Sequence, residues 1–269
     1  MANLDVGGAS LHFEVEGRGE PVLFIQGVGV AGSGWRPQVE VLGKDFECLT
    51  FDNRGIGKSQ RNGDRLTIER MAADAIALLD PLGWRSAHVA GHSMGGLIAQ
   101  EVALQAPARV RTLSLLCTFS KGPEAARLTP WVIWMSLRTR IGTRPMRRQA
   151  FLEMLFPDPY LRSMPAESLA ARLAPIIGRD LADQPSVMLE QVQAMAKYDR
   201  SARLSELSGI PTVVASAEFD PIAKPEYGRH LSALIPGAGY VEIREASHGV
   251  TIQRVQRVNE LLREQFSCA

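Results

Sequence analysis

The chain has 269 residues, 45% of them hydrophobic and 22% charged, with a formal net charge of +1. That is the make-up of a globular protein with an ample core, either one large α/β domain or one domain carrying an insertion. So small a net charge gives no long-range attraction to nucleic acid or an anionic membrane, and no stretch approaches the roughly 18 to 20 apolar residues of a membrane span.

Leu11 to Glu16 alternates apolar and polar residues, as a half-buried strand does. After a turn at Gly17 to Glu20, the unbroken apolar run Val22 to Ile25 reads as a central strand. A glycine-rich loop leads to a helix beginning near Pro37, and Phe46 to Phe51 is the next strand. Thr67 is placed to cap a helix whose apolar residues Ile68, Met71, Ala72, Ala75, Leu78 and Leu79 share one face. A strand at Ala87 to Ala90 runs into a nearly all-apolar helix, Leu97 to Ala106, which must be buried. Thr112 to Cys117 is another strand. Strands alternating with helices imply a mostly parallel sheet covered on both faces.

That rhythm stops at about Ser120. As far as Leu207 no strand pattern is found, helical patterns alternate with prolines, and six of the nine methionines fall here beside Trp131 and Trp134. The α/β pattern resumes with a strand at Thr212 to Ala217, a helix around Tyr227 to Ile235 and a strand at Tyr240 to Arg244. A final helix carries Val255, Val258, Leu262 and Phe266 on one side. The expected organisation is a core of residues 1–119 and 208–269 with a helical insertion at 120–207.

The stretch Gly91-His92-Ser93-Met94-Gly95 is G-x-S-x-G between a strand and a helix. So sharp a turn requires a strained backbone at Ser93, with φ expected positive, and residues without side chains at Gly91 and Gly95. The strain exposes the hydroxyl and sets the Met94 amide at a helix N-terminus, facing an incoming carbonyl oxygen. Five letters also match by chance, as a glycine-rich turn whose serine caps a helix.

A serine nucleophile needs a base, and the base needs an acid to fix its tautomer. Of the five histidines, His12 and His88 fall in strands, His92 in the turn itself and His230 on a helix. His248 alone lies in a loop just past a strand end. The acid should sit likewise, and Asp220 does, with Glu218 as the fallback. The order Ser93, Asp220, His248 is one in which such triads occur, and ligands of parallel sheets gather at the carboxyl ends of the strands.

On these residues the chain resembles the α/β-hydrolases. The carriers, in order, are IQGVG at 25–29, DNRGIGKS at 52–59, GHSMGG at 91–96, FDPI at 219–222 and ASHG at 246–249. The resemblance covers nearly the whole length outside the middle insertion. It implies an eight-stranded, mostly parallel sheet flanked by helices, a nucleophile–base–acid triad, and a helical cap inserted after the sixth strand. It also implies a second oxyanion donor, by position the Val28 amide, paired with that of Met94. Many relatives have His-Gly where this chain has Gln26-Gly27. A backbone donor survives that exchange, and the course of the loop is what it puts in question.

Gly27 to Gly32 also reads G-x-G-x-x-G after a strand, with Asp52 closing the next strand, which is the dinucleotide-binding pattern. That motif demands a helix opening within the glycines, whereas Pro37 suits the first turn of a helix that starts later. No zinc-like cysteine pair, H-E-x-x-H or P-loop is present, so no cofactor and no metal are expected. A serine rather than an aspartate at the turn speaks against resemblance to haloalkane dehalogenases and epoxide hydrolases.

Trp131, Trp134, Met135, Phe151, Met154, Leu155 and Phe156 are candidates for an apolar lid above Ser93, or simply for the core of the insertion. An apolar lining suits an acyl or aryl group of small to medium size. Arg138, Arg140, Arg144, Arg147 and Arg148 form a basic cluster, read as a solvated surface or as recognition of a carboxylate or acidic carrier. Resemblance to pimeloyl-carrier methyl ester esterases and to enol-lactonases implies the second. The expected function is a serine hydrolase of carboxylic esters or lactones with a small-molecule substrate. The alternatives are a slow-turnover ligand receptor on the same fold and cofactor-free perhydrolysis, the haloperoxidase-like activity that SMGG also resembles. No N-terminal signal is seen, and Cys48, Cys117 and Cys268 show no framework spacing; a reducing cytoplasm is the expected compartment.

Overall fold

A computed structural model describes residues 2–125 and 129–268. Eight strands, β1 (Ala2–Val6), β2 (Ala9–Gly17), β3 (Glu20–Ile25), β4 (Phe46–Phe51), β5 (Ala87–His92), β6 (Val110–Leu116), β7 (Thr212–Ala217) and β8 (Gly239–Ile243), form one sheet. Their order is β1-β2-β4-β3-β5-β6-β7-β8. The pairs β1–β2 and β2–β4 are antiparallel and the others parallel.

Strand β1 precedes the first strand expected from the sequence: Asn3 to Val6 alternates polar and apolar residues over too short a run to stand out, and at the sheet edge only Leu4 and Val6 are partly buried. The signal that marks it is Gly7-Gly8. Val6 pairs with Ala9, and both glycines have positive φ, +52° and +80°, as a two-residue hairpin turn requires.

The helices are α1 (Arg36–Leu42), α2 (Ile68–Ala77), α3 (Met94–Gln105), α4 (Gly122–Ala125), α5 (Pro130–Arg138), α6 (Arg144–Leu155), α7 (Asp158–Leu161), α8 (Ala166–Ile177), α9 (Val187–Lys197), α10 (Pro225–Leu234), α11 (Val250–Gln253) and α12 (Val255–Phe266). Thr67 caps α2 by accepting the Arg70 N–H at 3.1 Å, and Ile68, Met71, Ala72 and Ala75 are buried. From Met94 to Leu104 every residue of α3 is buried, which explains why its sequence is nearly all apolar; the exceptions are partnered, Gln100 donating to the Phe119 carbonyl and Glu101 accepting the Tyr198 hydroxyl. Two glycines in its first turn let it approach the sheet. A Cβ on Gly95 would lie 2.1 Å from the Ile25 carbonyl oxygen, and one on Gly96 2.5 Å from the Thr118 side chain.

Helices α4 to α9 are inserted between β6 and β7. Phe151, Leu152, Phe156, Leu169, Ala170, Leu173, Ile177 and Leu181 make a small core of the insertion's own. Val187, Ala194, Met195 and Tyr198, from α9 and the residue after it, join the main core instead. Among the described residues no helix is long and apolar enough to cross a membrane.

Candidate active site

The strand order reverses between β3 and β5, the position where parallel sheets open a crevice at their carboxyl ends. Ser93 leaves β5 there and is the N-cap of α3, with φ 56° and ψ −122°. A non-glycine residue with that φ persists only where its surroundings over-determine it. Here the Ser93 N–H donates to the Leu116 carbonyl at 3.0 Å, and its own carbonyl accepts Thr118 Oγ1 at 2.7 Å. Any side chain at Gly91 would place its Cβ 2.2 Å from the Gly95 carbonyl oxygen. The turn therefore needs both glycines that the sequence supplies.

Asp220 follows β7 and is buried with His248. Its Oδ2 accepts from His248 Nδ1 at 2.7 Å, and its Oδ1 accepts the N–H groups of Ile222 and Ala223, each at 2.8 Å. Burial acts to raise the Asp220 carboxyl, but the charge and hydrogen bond of His248 and the two amides hold it below the usual aspartate value. Glu218 does not take this place. Its Oε2 accepts the Glu245 N–H at 2.8 Å, steadying a residue with φ 51°. The two loops are further joined by Phe219 N–H to the Ala246 carbonyl at 2.8 Å and Ser247 Oγ to the Phe219 carbonyl at 3.2 Å.

The Ser93 turn and the His248 loop meet through His92. Its Nε2–H donates to the His248 carbonyl at 2.9 Å, and the two rings lie 4.9 Å apart. Burial pushes the His92 ring down to about 3, with the neighbouring His248 adding to the effect, so His92 is neutral at ordinary pH. No Ser93–His248 hydrogen bond is formed among the described residues; contacts of this kind are commonly long in unliganded sites and tighten with a bound molecule. The loop after β3 closes the site from the other side. A Cβ at Gly27 would lie 3.4 Å from Ser93 Oγ, so the chain runs tightly behind the hydroxyl into Val28. Neither the Val28 nor the Met94 amide has a protein acceptor among the described residues.

The other histidines are engaged elsewhere or exposed. His12 meets Asn3 and Glu14, His88 meets Thr112 and Glu20, and His230 is exposed on α10. The glycine run at 27–32 opens no α-helix: one 3₁₀ turn covers Gly32–Trp35, and α1 starts at Arg36 with Pro37 in its first turn. Asp52 is spent on the backbone, accepting the Gly32 N–H at 2.7 Å and the Lys58 N–H at 2.8 Å. Among the described residues no group of three His, Cys, Asp or Glu side chains is placed to hold a metal ion.

The apolar candidates divide. Trp134 is 60% exposed, with Arg138 6.0 Å from its ring. Phe151 is buried in the insertion's own core and stacks under Arg179. Met135 is buried, and Trp131 and Met154 are half-buried. The two remaining candidates, Leu155 and Phe156, are the ones that reach the His248 loop. The Gly249 N–H donates to the Leu155 carbonyl at 2.7 Å, and a Cβ at Gly249 would lie 2.6 Å from the Phe156 ring. Three of the five arginines are taken up inside the insertion: Arg138 by Glu153, Arg144 by Asp180 and Asp183, and Arg148 by Asp180 and Glu167. His92 carried a signal in its place inside the G-x-S-x-G turn. Gln191 and Arg179, whose side chains contact Gly29, carried none.

Comparison with known proteins agrees with this architecture. The model of the α/β hydrolase fold family matches residues 20–255. RutD of Azorhizobium caulinodans, named for carbamate hydrolysis, is 30% identical over 267 residues, covering 95% of this chain and 94% of its own. The enol-lactonase of Burkholderia xenovorans superposes with a TM-score of 0.82 at 27% identity, covering 99% of this chain and 100% of that one. A thermophilic esterase of Thermogutta terrifontis gives 0.80 at 27% identity, covering 98% and 96%. The chain belongs to the α/β hydrolase fold family, and its relatives include hydrolases.

Proposed function

We propose that this α/β-hydrolase is a serine hydrolase that cleaves carboxylic esters or lactones through an acyl-enzyme. His248 Nε2 takes the proton as Ser93 Oγ attacks the carbonyl carbon, and Asp220 stabilises the imidazolium that results. The amides of Met94 and Val28 receive the oxyanion. His248 then returns the proton to the leaving alkoxide, and a water that it activates hydrolyses the acyl-enzyme. The observation that carries this reading is the 2.7 Å Asp220–His248 bond on a loop that His92 ties to the strained Ser93 turn.

The insertion serves as a cap over this site. Leu155 and Phe156 beside Gly249, and Met188 beside Gly29, favour a small to medium apolar acyl or aryl group. The names of the lactonase and esterase relatives support the choice of ester and lactone. A carbamate presents the same carbonyl chemistry. The test is a panel of aryl esters of graded acyl length, with lactones and carbamates alongside, combined with fluorophosphonate labelling. Multiple turnovers and labelling that both disappear in Ser93→Ala are expected. Labelling that persists in the variant overturns the assignment, and a single slow turnover favours a ligand receptor.

A further inference from the structure

Between Gly27 and Val30 the chain makes a tight turn, with the Val30 N–H directed to the Gly27 carbonyl at 3.5 Å. Gly29, third in the turn, has φ +68°, while Val28 is not among the non-glycine residues of positive φ. That combination fits the type II pattern, in which a glycine with positive φ at the third position lets the chain reverse. The central peptide here joins Val28 to Gly29, and Val28 carries the proposed oxyanion donor.

What fixes this turn comes from the insertion. The Gly29 N–H donates to Gln191 Oε1 at 2.9 Å, and Arg179 Nε donates to the Gly29 carbonyl at 3.2 Å. A Cβ at Gly29 would lie 2.7 Å from Met188, so the helix carrying Met188 and Gln191 lies directly on the turn. Farther along, the Ala31 N–H donates to the Ile177 carbonyl at 3.1 Å, and Ser33 Oγ to the Ile176 carbonyl at 2.9 Å. Gln191 is fully buried, and its Nε2 has no acceptor among the described residues. Burying a donor without an acceptor costs stability, so an amide at this place is understood through what its oxygen does for the turn.

We propose that Gln191 is a positioning residue of the oxyanion site, anchoring the Gly27–Val30 turn to the insertion and thereby aiming the Val28 amide at the reacting carbonyl. The proposal rests on the serine-hydrolase reading and adds that the second oxyanion donor is set by the cap. Removing the Gln191 acceptor unfastens the turn at Gly29, the residue next to Val28, so that segment of the loop can shift and the Val28 amide loses its aim. The loss falls on the transition state, where the oxyanion exists, and not on the substrate as it first binds.

The experiment measures steady-state ester hydrolysis and trifluoromethyl ketone inhibition for wild type, Gln191→Met, Gly29→Ala and Ser93→Ala, with thermal melting as the control of folding. In Gln191→Met kcat should fall at least tenfold with KM within threefold, and affinity for the ketone, whose adduct carries the oxyanion, should fall in proportion. Gly29→Ala strains the same turn without touching Gln191 and should give the same pattern. This second variant decides the matter if Gln191→Met melts early. Unchanged kcat, or a raised KM with kcat intact, overturns the proposal while leaving Ser93 as nucleophile. Turnover surviving in Ser93→Ala overturns the serine-hydrolase reading itself.

Discussion

His92, one residue before Ser93, donates its Nε2–H to the backbone carbonyl of His248 at 2.9 Å, across 156 positions of sequence. Substitution by phenylalanine keeps the ring and removes the donor, leaving the buried carbonyl unpaired. A loss of about 1–3 kcal/mol of stability is expected from that alone. Because the His248 backbone is also released, kcat should drop by about tenfold or more. Denaturation curves and steady-state rates of His92→Phe check both; wild-type kcat in the variant would leave the bond a purely structural one.

The same ring predicts how stability responds to acid. Burial lowers His92 from 6.5 to about 3. Between those values the unfolded chain binds a proton that the folded chain refuses, so stability falls as pH falls, by up to about 1.4 kcal/mol per pH unit. Above that window this contribution is flat. The difference in slope between wild type and His92→Phe, read from urea unfolding between about pH 6 and 4.5, should correspond to one proton. Parallel slopes would mean that the folded protein accepts the charge.

Asp220 offers a separate handle on the reaction. In Asp220→Asn, the side-chain oxygen can keep the amides of Ile222 and Ala223, while the amide group turned to His248 Nδ1 favours the wrong tautomer. A fall in kcat of about 10³ to 10⁴ is expected, with the fold preserved by circular dichroism. A loss of less than tenfold would dismiss the carboxylate as the partner of the base.

A stability test concerns the loop at 52–59. Arg54 is buried and paired with Asp74, its Nη2 meeting Oδ1 at 2.6 Å and the Val6 carbonyl at 2.8 Å. Asp74→Ala strands a buried guanidinium, at an expected cost of about 3–5 kcal/mol. The activity of the remaining folded protein should be unaltered. A variant as stable as wild type would show that water reaches Arg54.

The sequence made the Ser93 turn readable because its demands fall on residue types: two glycines that cannot bear a Cβ, and an apolar helix that only burial explains. The parallel strands were readable for the same reason, as apolar runs between turn residues. Glu218 and Asp220 stand two residues apart; place just past the strand put Asp220 first, while the part Glu218 plays, accepting the Glu245 N–H, needed the loops in space. The insertion was the least readable part. Trp134 shares a short helix with the buried Met135, and no pattern told which side had a neighbour. Gln191 touches Gly29 across 162 positions, and Leu155 and Ile177 act through main-chain carbonyls that any residue would supply.

That last point bears on how such a protein diversifies. Two of the links between the insertion and the loops of the candidate site, Leu155 to Gly249 and Ile177 to Ala31, run from backbone to backbone. Side chains on the inserted helices can therefore be exchanged in large numbers, and the pocket reshaped, while these two splices keep the machinery aligned. A chimera that transplants a foreign insertion should work when it reproduces the splices and fail when it matches only the lining.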